Sequence, residues 1–232
     1  MKNSLTVEQY KSLCDFDGNK YVSKKGQSYI DALSKLFPLN NKNDTPFVLE
    51  EIYKQPTLDS FKFGGKNDFK FICNLHATPM EISANGERKN EKIIPTNFSS
   101  KQAQLIFTNS PGVAYMMTCV LNGKEYIIKF GQTRTPFKAR LGSYNCGVVN
   151  NWRTASTTNI KILQSFVTTR QVFRLYIYDC GEPIVYDWYG VHGEVASPKS
   201  LFIEDVILKE FMKQYGTKPL ANVQADATGS KK

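Results

Sequence analysis

Hydrophobic and polar positions change texture near Gly112. Before it, "TVEQYKSL" and "GQSYIDALSKLF" carry apolar residues at helical spacing, and turn-rich "PLNNKNDTP" separates them from two short aromatic runs, "FKFGG" and "FKFIC". The Asn/Lys-rich pieces "NNKND" and "NGERKNEK" read as surface loops. From Gly112 onward, "GVAYMMTCV" and "EYIIKFG" are strand-like runs on either side of Asn122-Gly123, the strongest short hairpin signal. "TPFKARLGSYN" reads as a helix with Thr135 as N-cap and Pro136 at its first position. A polar loop, "NNWRTASTTN", precedes an apolar run, "IKILQSFV", and an alternating strand, "QVFRLYIY". A long helix, "SPKSLFIEDVILKEFMKQYG", is opened by Ser197 and Pro198 and closed by Gly216.

This pattern predicts an α+β protein. Residues 106–220 form a small antiparallel sheet flanked by helices, residues 1–105 a helical and irregular N-terminal extension, and residues 221–232 a disordered tail. At 232 residues the chain can bury a sizeable core. No stretch approaches the roughly 18 apolar residues of a membrane span, and "MKNSLTVEQYKSL" lacks the apolar segment of a signal peptide. The expectation is therefore a cytoplasmic protein with no membrane association.

Hairpin register decides which side chains meet. A two-residue Asn122-Gly123 turn sets Tyr115 opposite Phe130 and puts Lys129 on the other sheet face. A three-residue Leu121-Asn122-Gly123 loop shifts the pairing by one and sets Tyr115 directly against Lys129. The second is the expectation here, because a cation within roughly 4 to 6 Å of a phenol favours the phenolate and makes Tyr115 a credible general base.

Charge sharpens the picture. The net charge is +9, and residues 126–178 hold Lys129, Arg134, Lys138, Arg140, Arg153, Lys161, Arg170 and Arg174 with no carboxylate. Solvated faces normally mix signs, so a single-sign stretch points to a polyanion, most commonly nucleic acid. Five widely spaced cysteines without a CxxC pair argue against a disulfide framework and a structural zinc site. Cys146 has no histidine near it in sequence, so it reads as a bystander.

Arg140 and Tyr144, four apart on one helix, share a face suited to a phosphate, while Phe137 and Leu141 point inward. On the last helix Glu204 falls on the stripe of Leu201, Leu208, Phe211 and Tyr215, where a carboxylate must be paired, protonated or bound to a metal. A base, a cation on the phosphate and a metal opposite are the minimal set for in-line phosphodiester hydrolysis. One candidate carboxylate suits a single magnesium ion completed by water and DNA oxygens. For DNA contacts the loop "WRTASTTN" offers Trp152, Arg153, Ser156, Thr157, Thr158 and Asn159, with Arg134 and Lys138 nearby on the basic stretch. The same loop also reads as a polar segment capping the next helix.

Together "GVAY", "KFGQT", "TPFKARLGSY" and "IEDVIL" resemble, in order, the motifs of the GIY-YIG nuclease superfamily. "SYNCG", "STTN", "LQS", and "EDVIL" followed by "KP" are similar to its small type II restriction endonuclease branch, over about residues 110 to 220. The resemblance implies that Tyr115 activates the attacking water and that Lys129, where most of the superfamily has a second tyrosine, supports it. Arg140 would hold the scissile phosphate, Tyr144 would position phosphate or water, and Glu204 would bind one Mg2+ per active site. Tyr126 is a second candidate for the base. The implied substrate is double-stranded DNA, cut at specific sites by a homodimer. Structure-specific or phage-associated nucleases of the same superfamily, and a non-catalytic basic nucleic-acid-binding module, are the alternatives.

Overall fold

The structure, a computed structural model, describes residues 5–39, 43–181, 184–195 and 199–223. The first hundred residues form α1 (Val7–Ser12), β1 (Cys14–Phe16), β2 (Lys20–Ser23), α2 (Gly26–Leu36), α3 (Leu49–Tyr53), β3 (Lys70–Thr78), β4 (Glu81–Ser83), β5 (Arg88–Lys89) and β6 (Lys92–Thr96). After α4 (Lys101–Asn109) come β7 (Val113–Leu121), β8 (Lys124–Thr133), α5 (Phe137–Tyr144), α6 (Thr157–Thr169) and β9 (Phe173–Asp179). The hairpin β10 (Ile184–Trp188) and β11 (Val191–Val195) and the long α7 (Lys199–Tyr215) complete the chain. The protein is α+β, with small antiparallel sheets flanked by helices.

The main sheet has five antiparallel strands in the order β6-β3-β9-β7-β8. A second sheet, β1-β2-β4-β5, is built from residues before 90. The first hundred residues thus contribute β3 and β6 to the sheet that carries the β7–β8 hairpin. The strand content of this segment is more than its sequence pattern suggested. One buried cluster joins Tyr10, Leu13, Tyr29 and Leu33 to Tyr115, Met117 and Tyr144.

Strand β7 is covered on both faces, which explains its nearly unbroken apolar run. Val113, Tyr115, Met117 and Cys119 face the larger cluster, while Ala114 and Met116 face a second one with Phe61, Phe69, Phe130, Ile207 and Phe211. The second cluster is the seat of α7. Each phenylalanine fully buried there contributes about 1.5–3 kcal/mol.

The hairpin turn is the two-residue one: Leu121 pairs with Lys124, and Asn122 (φ 50) and Gly123 (φ 75) both take the positive φ of a type I′ turn. Neither expected register survives, however, because the ladder slips between Met117 and Thr118 and sets Tyr115 opposite Gly131. Thr118 pairs with Ile127 and Met117 with Lys129, so Ile128 is the extra residue of a β-bulge. Without the bulge Lys129 would lie on the face opposite Tyr115. With it, Lys129 returns to the face of Tyr115, two residues along rather than directly across.

Helix α5 begins one residue later than its sequence suggests. Pro136 occupies the cap with no side-chain bond, and Thr135 instead donates its backbone N–H to Thr133 Oγ1 at 3.2 Å. The apolar run "IKILQSFV" is helical, inside α6, and is buried nearly all round. Ser197 and Pro198 lie outside the described residues. Gly216 closes α7 at φ +69 with its N–H on Met212 O. Of the expected tail, residues 224–232 lie outside the described residues, but Ala221 is buried and Asn222 is bonded to β8.

Candidate active site

Strand β7 delivers Tyr115 and helix α5 delivers Tyr144, and their hydroxyls meet at 2.5 Å with both rings buried. Tyr115 can lie flat over the neighbouring strand because its cross-strand partner is Gly131; a Cβ there would overlap the phenol. The edge of Phe137 from α5 closes on the Tyr115 ring at 4.9 Å between centroids.

Arg140 lies one helical turn before Tyr144, and its guanidinium sits 4.5 Å from that ring's centroid. It interacts electrostatically with both phenols, and its buried Nε has no hydrogen-bond partner among the described residues. A desolvated guanidinium with a donor to spare is what an anion would complete. Lys129 is buried, and its Nζ donates to Ala221 O at 3.2 Å. On α7, the buried Ser200 donates to Gln132 of β8 at 3.5 Å, and one turn on Glu204 is half-buried, within electrostatic reach of Lys129 and Arg140. The exposed Asp205 pairs with Lys209 at 2.6 Å.

Burial dominates the proton affinities here. It raises both phenols above their ordinary value, Tyr144 the more strongly, while Arg140 pulls each downward. The cation acting on Tyr115 is therefore Arg140 and not Lys129, which corrects the expectation drawn from the hairpin. Burial lowers Lys129 to about 8, with Arg140 adding to the effect and Glu204 opposing it. Burial also raises Glu204, against the pull of Lys129 and Arg140. Tyr126, the other candidate base, packs edge-on against Tyr53 at 5.8 Å, and its strand segment bridges to Thr57.

The structure thus brings together four of the five expected catalytic residues on β7, β8 and α5, and sets Glu204 of α7 beside them. The expected DNA-contact residues divide. Arg134, Lys138, Arg153 and Thr157 are exposed. Ser156 caps α6 by accepting from Asn159 N at 3.3 Å. Trp152 is no wedge: it is buried and stacked on Phe37 at 5.2 Å. Thr158 is buried too, and Asn159 is half-buried with its backbone pressed against Gly147.

The single-sign charge stretch also divides. Lys161 donates to Thr45 O, Arg170 to Ser23 O and Val167 O, and Arg174 pairs with Glu125 at 3.0 Å. Only Arg134, Lys138 and Arg153 of the eight are exposed. All five cysteines are free; Cys146 is exposed and the others are buried. Sequence patterning missed the residues that pin the segment after Tyr144. Asn145 grips both backbone polar groups of Ile93, and the buried Glu91 accepts from Val149 N and Gln164 Nε2. Nothing in the order of residues marks Glu91, whose neighbours read as a loop.

No protein-family model matches the sequence, and no curated protein matches it. Among solved structures the chain is similar to the restriction endonuclease HPY188I in complex with product DNA. The TM-score is 0.51 at 26% sequence identity, over 82% of this chain and 99% of that one. The chain has a restriction-endonuclease-like fold. No described helix is long and apolar enough to cross a membrane.

Proposed function

We propose that the protein is a site-specific endonuclease that hydrolyses phosphodiester bonds in double-stranded DNA, of the GIY-YIG type. The observation that carries this reading is the meeting of Tyr115, Lys129, Arg140, Tyr144 and Glu204 from four separate elements around one desolvated guanidinium. The similarity to a restriction endonuclease supports it.

In this reading Arg140 takes the scissile phosphate, its bare Nε and planar fork matching phosphate oxygens. Tyr144 orients that phosphate or the attacking water. Tyr115 accepts the water's proton as the new P–O bond forms and the bond to the leaving oxygen breaks. A phenol raised by burial must first lose its own proton. Arg140, the cation acting on Tyr115, favours that loss, and Lys129, lowered to about 8, would take up the proton in its neutral form.

Glu204 would hold one magnesium ion, which when bound supplies positive charge at the leaving oxygen. What supports such an ion is a half-buried carboxylate that burial leaves in need of a positive partner. Among the described residues Glu204 forms no ion pair, and no group of three or more metal-ligating side chains exists. Water and DNA oxygens would therefore complete the shell. Arg134, Lys138, Arg153 and Thr157 are the exposed candidates for backbone contacts. Cutting both strands at a palindrome calls for a homodimer.

Incubation with plasmid DNA and magnesium tests the reading. Discrete fragments are the expected outcome, with Glu204→Gln abolishing cleavage while leaving DNA binding in place. Nicks or smears would favour a structure-specific nuclease, and intact DNA a non-catalytic binding module. A Glu204→Gln variant that still cuts would refute the metal assignment.

A further inference from the structure

Strand β8 is an edge strand with a bulge, which leaves backbone groups of residues 128–130 without a ladder partner on its outer side. The segment that supplies those partners comes from the far end of the chain. Ala221 N donates to Ile128 O at 3.0 Å. The Asn222 side chain then spans Phe130, its Oδ1 accepting from Phe130 N at 3.0 Å and its Nδ2 donating to Phe130 O at 2.8 Å. Leu220 N is held by Gln55 Oε1 at 3.2 Å. A carboxamide with one acceptor and two donors is the side chain that can reproduce both hydrogen bonds of a neighbouring strand. The two anchors flank Lys129, and between them the buried Ala221 offers its carbonyl to Lys129 Nζ at 3.2 Å.

We propose that residues 220–222 form a strap that positions Lys129 for the reaction, with Asn222 locking the strap onto the bulge and the Ala221 carbonyl aiming the ammonium. Asn222 is a positioning residue acting through Lys129. The inference rests on the nuclease reading above. The bulge brings Lys129 to the face of Tyr115, and the strap fixes where on that face the amine stands. An ammonium has three donors, so the Ala221 carbonyl orients it and leaves others for a reacting group. Loss of the Asn222 carboxamide frees the strap end and lets the amine drift, and a misplacement of about 1 Å can cost on the order of 100-fold in rate.

The test is a double-mutant cycle in single-turnover cleavage, with Asn222→Ala, Lys129→Met and their combination. DNA affinity is measured separately without magnesium, and hydrogen exchange is followed at the Phe130 amide. Asn222→Ala is expected to slow cleavage by about 10- to 100-fold with unchanged DNA affinity and lost Phe130 protection. In the Lys129→Met background it is expected to slow cleavage no further. Asn222→Asp keeps the acceptor for Phe130 N but sets a second oxygen against Phe130 O, so it is expected to slow cleavage as Asn222→Ala does. Additive losses in the double variant, or wild-type cleavage by Asn222→Ala, would overturn the proposal while leaving the nuclease reading intact. A wild-type chain inert on every DNA tested with magnesium would overturn the nuclease reading itself, and the strap's role with it.

Discussion

Replacing Lys129 by methionine should make the stability of the protein less dependent on pH, in a direction and amount set by burial. The ammonium drops from the ordinary 10.5 to about 8 in the fold, so between those values the unfolded chain binds more protons than the folded one. Below about pH 8 the charge is present in both states, and holding it out of water costs about 3 kcal/mol, from a gap of about 2.5 pH units at about 1.4 kcal/mol each. As pH rises through 8 towards 10.5 that cost disappears, so the wild type gains stability. The methionine variant has nothing to titrate at this position. It leaves Ala221 O without its donor, a penalty of about 1–3 kcal/mol that does not vary with pH. Between pH 7 and pH 9 the wild type should therefore gain about 1 kcal/mol on Lys129→Met. Urea unfolding of both proteins at the two pH values reads this difference directly, through the midpoints and slopes. A difference that stays flat, or that moves towards the variant, would show that Lys129 is not held desolvated, and the account of the site would fail with it.

Three further outcomes are expected. Gly131→Ala places a methyl group in the Tyr115 ring, so it should cost about 1–3 kcal/mol in urea unfolding and depress cleavage well beyond what the lost stability explains. Trp152→Ala removes a core ring stacked on Phe37 and should cost about 3–5 kcal/mol, with DNA affinity unchanged below the unfolding transition; weakened binding by a stably folded variant would restore the wedge role. Arg153→Ala, on an exposed side chain, should leave stability unchanged and reduce the salt slope of DNA binding by about 1 in titrations across salt concentrations.

Much of the site was legible because its signals are local. Asn122-Gly123 carries its own turn, since positive φ at both positions is a property of those two residues. Arg140 stacks on Tyr144 because four residues span one helical turn, and Phe137 and Leu141 go inward for the same reason. Glu204 on the apolar stripe of α7 could be singled out before any coordinates, although Leu201 of that stripe proves exposed and Ile207 takes its place in the core. These features follow from neighbours in the chain and the fixed periods of helix and strand.

The bulge at Ile128 was not legible, because a ladder slips where packing on both faces and the strap from residues 220–222 favour it, and those partners lie far away in sequence. The basic stretch was legible as a surface only in part, for a related reason. A run of like charges along the chain becomes a like-charged surface only if its side chains reach water, and Lys129, Lys161, Arg170 and Arg174 are drawn onto carbonyls and carboxylates of distant segments. Trp152 went inward because Phe37 of the first hundred residues waits beside it. The sequence alone determined the β7–β8 turn, helices α5 and α7 and the shared face of Arg140 and Tyr144, but not the strands of the first hundred residues or the β10–β11 hairpin. Tertiary structure decided which cation meets which phenol, since burial and register depend on contacts that close over long separations and that no local period encodes.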